Sequence, residues 1–394
     1  MEIADFLRRG GTDKAGVAAS VATHIGLAAG DVLLAAGSLA EGLGTVKSDL
    51  DLFLITDRAA AEGARDEVVL SVGRCVIDVR ILPRPRVAAL IARLGRWARN
   101  GWDPSDAVPF SHDERVLLHR LTHGLPWVVT ADHATDFRAP IGELSRLKLH
   151  VARHAAKTVQ VDLEGYRQAA DHQTMAFAAQ KLLAHAVDGL LAGWGHTNPI
   201  SKWRSRLLGE LPAGWEDALL CRPARLSATE LLWRLQQLPD RPDDRVLDQT
   251  DHILAFARGV FLWAEAVLLG LPVIARRPGS FASDDLVWSA PLAPLLPDVD
   301  FSLTPTGALA ARLNEFRPAL DLNAEELALA LLFDGITTQA EAARAAGGGS
   351  ATAEAVRRVE MLAARLAAAG FCRNPDPVRE DTGREDRRTP ACTR

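Results

Sequence analysis

Cysteine is scarce: four residues in 394, with Cys75, Cys221, Cys372 and Cys392 widely scattered. They form no zinc spacing and no disulfide framework, so a reducing cytoplasm is the expected setting. An excess of positive charge is lacking too. Lys and Arg number 45 against 50 Asp and Glu, a net of −5. A protein that coats nucleic acid carries a basic field, so nucleic acid is not the expected partner. No uninterrupted apolar run reaches the ~18 residues that span a bilayer, and no membrane partner is expected. The opening Met1-Glu2-Ile3-Ala4-Asp5 is acidic where a signal peptide needs basic residues. Apolar residues, by contrast, make up 48% of the chain, ample for two or three domains with real cores.

The most informative stretch runs from Gly37 to Ile55. A Gly-Ser turn, Gly37-Ser38, follows the short apolar run Asp31 to Ala36 and precedes Ser48-Asp49-Leu50-Asp51 on a second apolar strand. Side chains two apart on a strand share a face, so Asp49 and Asp51 lie together. Two like charges that close raise each other's pKa unless a cation sits between them. Carboxylate oxygens suit a hard divalent ion such as Mg²⁺, which keeps waters and takes its remaining ligands from substrate phosphates. A third acid, Asp78, interrupts the β-branched run Gly73 to Leu82. An aspartate inside such a strand is costly unless compensated. Were this strand to lie beside the first, three carboxylates would form one cluster, enough for two metals about 3.5–4 Å apart. A lone Asp-x-Asp is commonly a solvated strand edge; the joint pattern of turn, paired acids and third acid carries the information.

At these residues the chain resembles the DNA polymerase beta-like nucleotidyltransferase superfamily, in particular its branch of kanamycin-type antibiotic and minimal nucleotidyltransferases. The resemblance is specific over about residues 30–82 and looser to about 215. It implies that Gly37 and Ser38, with Ser48 beside the acids, bind the nucleoside triphosphate. It implies also that Asp49, Asp51 and Asp78 hold two Mg²⁺ ions as the catalytic centre. Relatives often carry Arg between Gly-Ser and the next Gly; this chain has Glu41, which makes the loop less basic.

The expected architecture is an α/β catalytic domain over 1–85, a small mixed sheet with helices. Strands fall at 31–36, 50–56, about 66–72 and 75–82, after a helix at about 12–29. A helical acceptor domain follows over 86–270, with helices at 87–98, 114–121, 141–168 and 172–193. In it Lys202, Arg204 and Arg206 open a helix beside Trp203, a place suited to phosphate. Lys202 is the candidate ligand of the β- or γ-phosphate. A Pro-rich linker or covering layer is expected over 271–322. A three-helix unit over 323–374 follows, with capping boxes at Asn323/Glu326 and Thr338/Glu341. It resembles a winged helix, or the small peptide-binding domains of ribosomal-peptide pathways, and equally suits a packing or dimerising cap, which leaves a homodimer open. The tail 375–394 reads as disordered.

The sequence leaves the general base between Asp78 and an acid of the helical domain, Glu164, Asp162 or Asp188. His150 and His154 stand at i, i+4 but lack a third ligand, so a partly exposed pair of helix histidines is expected. Tyr166, the only tyrosine, is expected to pack in the core. The expected function is Mg²⁺-dependent transfer of a nucleoside monophosphate, AMP from ATP foremost, to a hydroxyl on a small molecule, peptide or protein. The alternative is a non-catalytic nucleotide sensor or DNA-binding regulator on the same fold.

Overall fold

The computed structural model describes residues 1–58, 66–99, 108–128, 137–215, 218, 228–241, 243, 245–271, 291–315, 318–335 and 337–373. Cys221, Cys392 and the expected disordered tail lie outside these residues, as does most of the stretch before Pro291.

Two helices open the chain, α1 (Ile3–Gly10) and α2 (Lys14–His24), where the sequence predicts a single one over 12–29. Gly11, left-handed at φ 76°, ends α1, and the Asp13 side chain caps α2 by accepting from the Gly16 amide. Strand β1 (Val32–Ala36), the short helix α3 (Gly37–Ala40), β2 (Leu50–Thr56), β3 (Glu67–Val72) and β4 (Cys75–Pro83) then follow. Next come α4 (Arg84–Arg99), α5 (His112–Thr122) and β5 (Leu125–Val128). The five strands form one mixed sheet in the order β3-β4-β2-β1-β5, with β2 and β4 parallel and the other pairs antiparallel. β5 contains Pro126, a residue that reads as a stop; at the sheet edge its missing N–H is tolerated.

The alternation of β2 decides what faces what. Leu50, Leu52 and Leu54 pack with Phe6, Leu7, Val17 and Val21 of α1 and α2. Phe53 and Ile55 point to the other face, into a core made with α4, α5 and the start of α6 (Ile141–Gln168). Asp51 therefore lies on the α5 side of the sheet.

Helix α6 pairs with α7 (His172–Gly193) and α10 (Arg245–Leu269); α8 (Arg204–Leu208) and α9 (Ala228–Gln236) lie between them in sequence. α10 is long and apolar enough by composition to cross a bilayer, although no unbroken apolar run exists, and most of that stretch is buried inside the protein. Its buried charges are Asp251, Arg258 and Glu265, seven residues apart and hence along one stripe. Each has a partner elsewhere in the fold. Asp251 accepts from Arg373, Arg258 donates to the Leu296 carbonyl, and Glu265 accepts from Arg153 of α6 at 2.6 Å.

The stretch expected as a linker contains, from Val299, a three-stranded antiparallel sheet: β6 (Val299–Thr304), β7 (Gly307–Arg312) and β8 (Leu320–Asn323). Helices α11 (Ala324–Ala330), α12 (Gln339–Ala346) and α13 (Ala353–Ala368) follow, the first two with both expected capping boxes. Strands thus precede helices in this unit, and a winged helix is not confirmed. Its apolar residues, among them Phe301, Leu327, Leu362 and Phe371, belong to the same core as α6, α7 and α10. Tyr166 packs against that core as expected.

Candidate active site

The parallel pairing of β2 and β4 sets Asp51 directly beside Asp78. Asp51 also lies opposite Ala36, the residue before the Gly-Ser turn. The turn and the acids therefore meet at one corner of the sheet. Gly37 is left-handed at φ 71°, and the Asp51 carboxylate occupies the space a β-carbon there would need. Only glycine satisfies both conditions. Ser38 follows it, half-buried, and the Gly44 amide donates to the Ser38 carbonyl at 2.8 Å, closing the loop. Ser48 acts locally, its hydroxyl accepting from the Thr45 amide at 2.9 Å just before Asp49.

The acids act on one another. Burial raises the Asp51 pKa, opposed by Arg120 and Lys202 and reinforced by Asp49. Burial likewise pushes Asp78 up to about 6, helped by Glu67, Asp51 and Asp49. Glu67, on β3, is a fourth carboxylate that the motif does not announce. Two carboxyls share a hydrogen bond only when one is protonated, which is why Glu67 raises Asp78. One oxygen of Asp78, Oδ1, is buried with no hydrogen-bond partner. As the side chains stand, no three acids, histidines or cysteines among the described residues close into a metal-binding group. Asp51 accepts from Arg120 Nη1 at 3.2 Å, while Asp78 lies against Glu67. The donor set itself suits a hard divalent ion: carboxylate oxygens, mutual repulsion among the acids, and a partnerless buried oxygen.

Lys202 is brought to this corner from the helical region. Its ammonium is near enough to Asp51 to favour the charged carboxylate, and it lies 4.9 Å from the Trp203 ring centre. Arg204 and Arg206 are engaged elsewhere. Arg204 forms a two-pronged pair with Asp188, and Arg206 donates to the Leu43 and Gly42 carbonyls, clamping the loop after the Gly-Ser turn.

Helix α5 supplies what the motif does not show. His119 Nε2 donates to Glu41 Oε2 at 2.9 Å, and Asn198 Nδ2 donates to the same oxygen at 2.8 Å. Thr197 Oγ1 lies 2.9 Å from both His119 Nδ1 and His123 Nε2. A carboxylate can only accept, so with neutral rings the hydrogens run one way, from His123 through Thr197 and His119 to Glu41. Burial keeps His123 below the usual histidine range, in keeping with a neutral ring. Burial alone would raise Glu41, but the bonds from His119 and Asn198 outweigh it and hold Glu41 below the usual range. The residue that makes the loop less basic thus ties the Gly-Ser turn to the helical region. Lys148 braces the same segment, donating to the carbonyls of His196 at 3.0 Å and Asn198 at 2.8 Å. The sequence carries one sign of this arrangement, the i, i+4 spacing of His119 and His123 at the end of α5.

The acids considered as bases in the helical region are not equivalent. Glu164 is buried and held by Arg167 and Gln168, and Asp188 is engaged by Arg204, so both are already committed to partners of their own region. Asp162 is exposed on its helix. The histidine pair differs from expectation: His150 is fully buried against Trp97, and only His154 is exposed. Trp97, from α4, packs onto α6 at this point and covers the His150 ring. Cys75 and Cys372 are free thiols.

No family model matches the chain, and no curated protein matches it. Among solved structures the chain is similar to a nucleotidyltransferase-like protein from Exiguobacterium sibiricum, with 12% identity and a TM-score of 0.33. That likeness covers 65% of this chain and 74% of the other. A similarity of that size decides nothing about activity, and the functional reading rests on the residues.

Proposed function

We propose that the protein is a Mg²⁺-dependent nucleotidyltransferase that moves a nucleoside monophosphate, AMP from ATP foremost, to a hydroxyl acceptor. The observation that carries this reading is the register of Asp51 against Asp78, with the Gly37 backbone pressed against Asp51. Asp49, Asp51 and Asp78 would hold two Mg²⁺ ions; bound there, Mg²⁺ supplies charge neutralisation at the phosphates and acidifies the acceptor hydroxyl.

The chain's own residues do the rest. Gly37 and Ser38 present the turn to the triphosphate, with Ser48 shaping the approach of Asp49, and Lys202 takes a β- or γ-phosphate oxygen. The acceptor oxygen attacks the α-phosphorus in line. The bond from that phosphorus to the bridging oxygen breaks, and pyrophosphate leaves with the electron pair. The hydroxyl proton passes to Asp78, which the strand register sets beside Asp51. Positioning and charge neutralisation suffice for such a reaction, with no covalent nucleophile.

A cationic small molecule would suit the net charge of −5. A peptide or protein acceptor is the other class, and β8, at one edge of its sheet, offers main-chain groups to an extended segment. Incubation with each α-labelled nucleoside triphosphate, Mg²⁺ and fractions of small molecules, peptides and proteins tests the proposal. Label on a new species with pyrophosphate release supports it. Tight nucleotide binding with neither would point to the sensor reading. Asp51→Ala should abolish transfer without unfolding the protein, and Lys202→Ala should raise the KM for nucleotide about tenfold. Unchanged turnover in the first variant would sink the metal-site assignment.

A further inference from the structure

We infer that Arg120 is a triphosphate-binding residue of this site, held in reserve on Asp51 until nucleotide arrives. The inference rests on the nucleotidyltransferase reading and adds to it a ligand from an element outside the motif.

Three observations converge on it. First, the loop between Gly37 and Asp49 offers little positive charge to a polyanion. Glu41 stands in it, and Glu41 is committed to His119 and Asn198. The loop's one basic residue, Lys47, is exposed. Second, Arg120 is the neighbour of His119 on α5, so the contact that fixes Glu41 also fixes the helix that carries Arg120. Its guanidinium reaches Asp51 through one nitrogen, at 3.2 Å. Third, that bond leaves the guanidinium under-used. Its Nε is buried and has no hydrogen-bond partner, and Asp51 is the only partner of the side chain among the described residues. An arginine fork has five donors and matches carboxylate or phosphate in a two-pronged manner. Here it makes one long bond to an acid that the proposed reaction needs for another purpose.

Lys202 approaches the same carboxylate from the helical region, so two cations from separate elements flank Asp51. A triphosphate brings several negative oxygens to that point, and each is a better partner for the fork than a carboxylate engaged elsewhere. Arg120 then leaves Asp51 for a phosphate oxygen, and Asp51 is released for its own role. Asp51 and the triphosphate accordingly compete for one guanidinium.

Competition of this kind has a signature that a merely structural ion pair lacks. The probe is inorganic tripolyphosphate, in EDTA, titrated calorimetrically into the full chain and into Arg120→Ala, Asp51→Asn and the double variant. Thermal unfolding of each establishes that it is folded. Arg120→Ala should weaken tripolyphosphate binding roughly tenfold. Asp51→Asn should tighten it several-fold where Arg120 is present and by clearly less where Arg120 is absent. Arg120→Lys, which keeps charge but not the fork, should recover only part of the affinity. Equal gains from Asp51→Asn in both backgrounds would mean that charge repulsion alone is at work and would overturn the inference, as would full affinity in Arg120→Ala. Either result leaves the nucleotidyltransferase reading standing, because the parent chain still binds the probe. Failure of the parent chain to bind both tripolyphosphate and Mg²⁺-ATP overturns both.

Discussion

The Asp51 carboxylate fills the space that a β-carbon on Gly37 would need, so the turn and the acid are fitted to each other in both directions. Gly37 can adopt φ 71° without strain, and only a residue without a side chain lets Asp51 stand where it does. Gly37→Ala should therefore displace Asp51 and lower transfer by roughly 100-fold, since misplacement of about 1 Å costs that much. Gly42 supplies the comparison. It is also left-handed, at φ 72°, but nothing lies near its missing β-carbon. Gly42→Ala should cost about 1 kcal/mol of stability and leave the rate within a few-fold. Initial rates and melting temperatures of the two variants check the pair.

Glu41 joins the Gly-Ser loop to α5 and to Asn198. Glu41→Ala would leave two buried donors without an acceptor, at a cost of about 1–3 kcal/mol. Glu41→Gln keeps an oxygen in place and should cost less. Urea midpoints with an unchanged slope would measure the difference. Equal stability of the parent and the alanine variant would show that the link is not under load.

Arg153 is buried between α6, α10 and β6, donating to Glu265 at 2.6 Å and to the Phe301 carbonyl. Arg153→Met strands Glu265 in the core, and a loss of about 3–5 kcal/mol is expected. Pairing it with Glu265→Leu should restore much of that loss, because the penalty belongs to the unpaired charge. Denaturant unfolding of the single and double variants reads this directly. A double variant as unstable as the single one would place the cost in packing instead.

Asp251 gives a dependence on pH. Burial pushes its pKa up to about 6, against the opposing pull of Arg373. Between about pH 4 and pH 6 the folded chain keeps a proton that the unfolded chain has lost. The folded state then binds more protons, so stability contributed at this group falls as pH rises through the window. Asp251→Asn should flatten that fall. Thermal unfolding across pH 4–7 checks both the sign and its disappearance; a rise for the parent protein at this group would reverse the argument.

The acids are legible in the sequence because strand alternation is a local signal: Asp49, Asp51 and Asp78 sit in short apolar runs whose faces can be counted. The register of Asp51 against Asp78 follows only if two strands are neighbours, and the sequence can state that only as a condition. Arg120 and His119 are beyond its reach. Their partners Asp51 and Glu41 lie 69 and 78 residues away, and no periodicity encodes such a meeting. Glu67 stays hidden for a related reason, since its role depends on β3 pairing with β4. The C-terminal strands escape notice because they are four to six residues long and β7, Gly-Ala-Leu-Ala-Ala-Arg, is poor in β-branched residues. Capping boxes need only four consecutive residues, and those at Asn323 and Thr338 both form as the sequence predicts.

The stripe of Asp251, Arg258 and Glu265 along α10 has a consequence for how this chain fails. These three charges are quenched by Arg373, by the Leu296 carbonyl and by Arg153, and two of those partners lie beyond Pro291. A chain shortened before Pro291 would lose two of these three partners and leave Asp251 and Arg258 unpaired on a long, apolar helix. Apolar surface that α10 now buries against the C-terminal unit would be exposed, and aggregation of the shortened chain is the expected result.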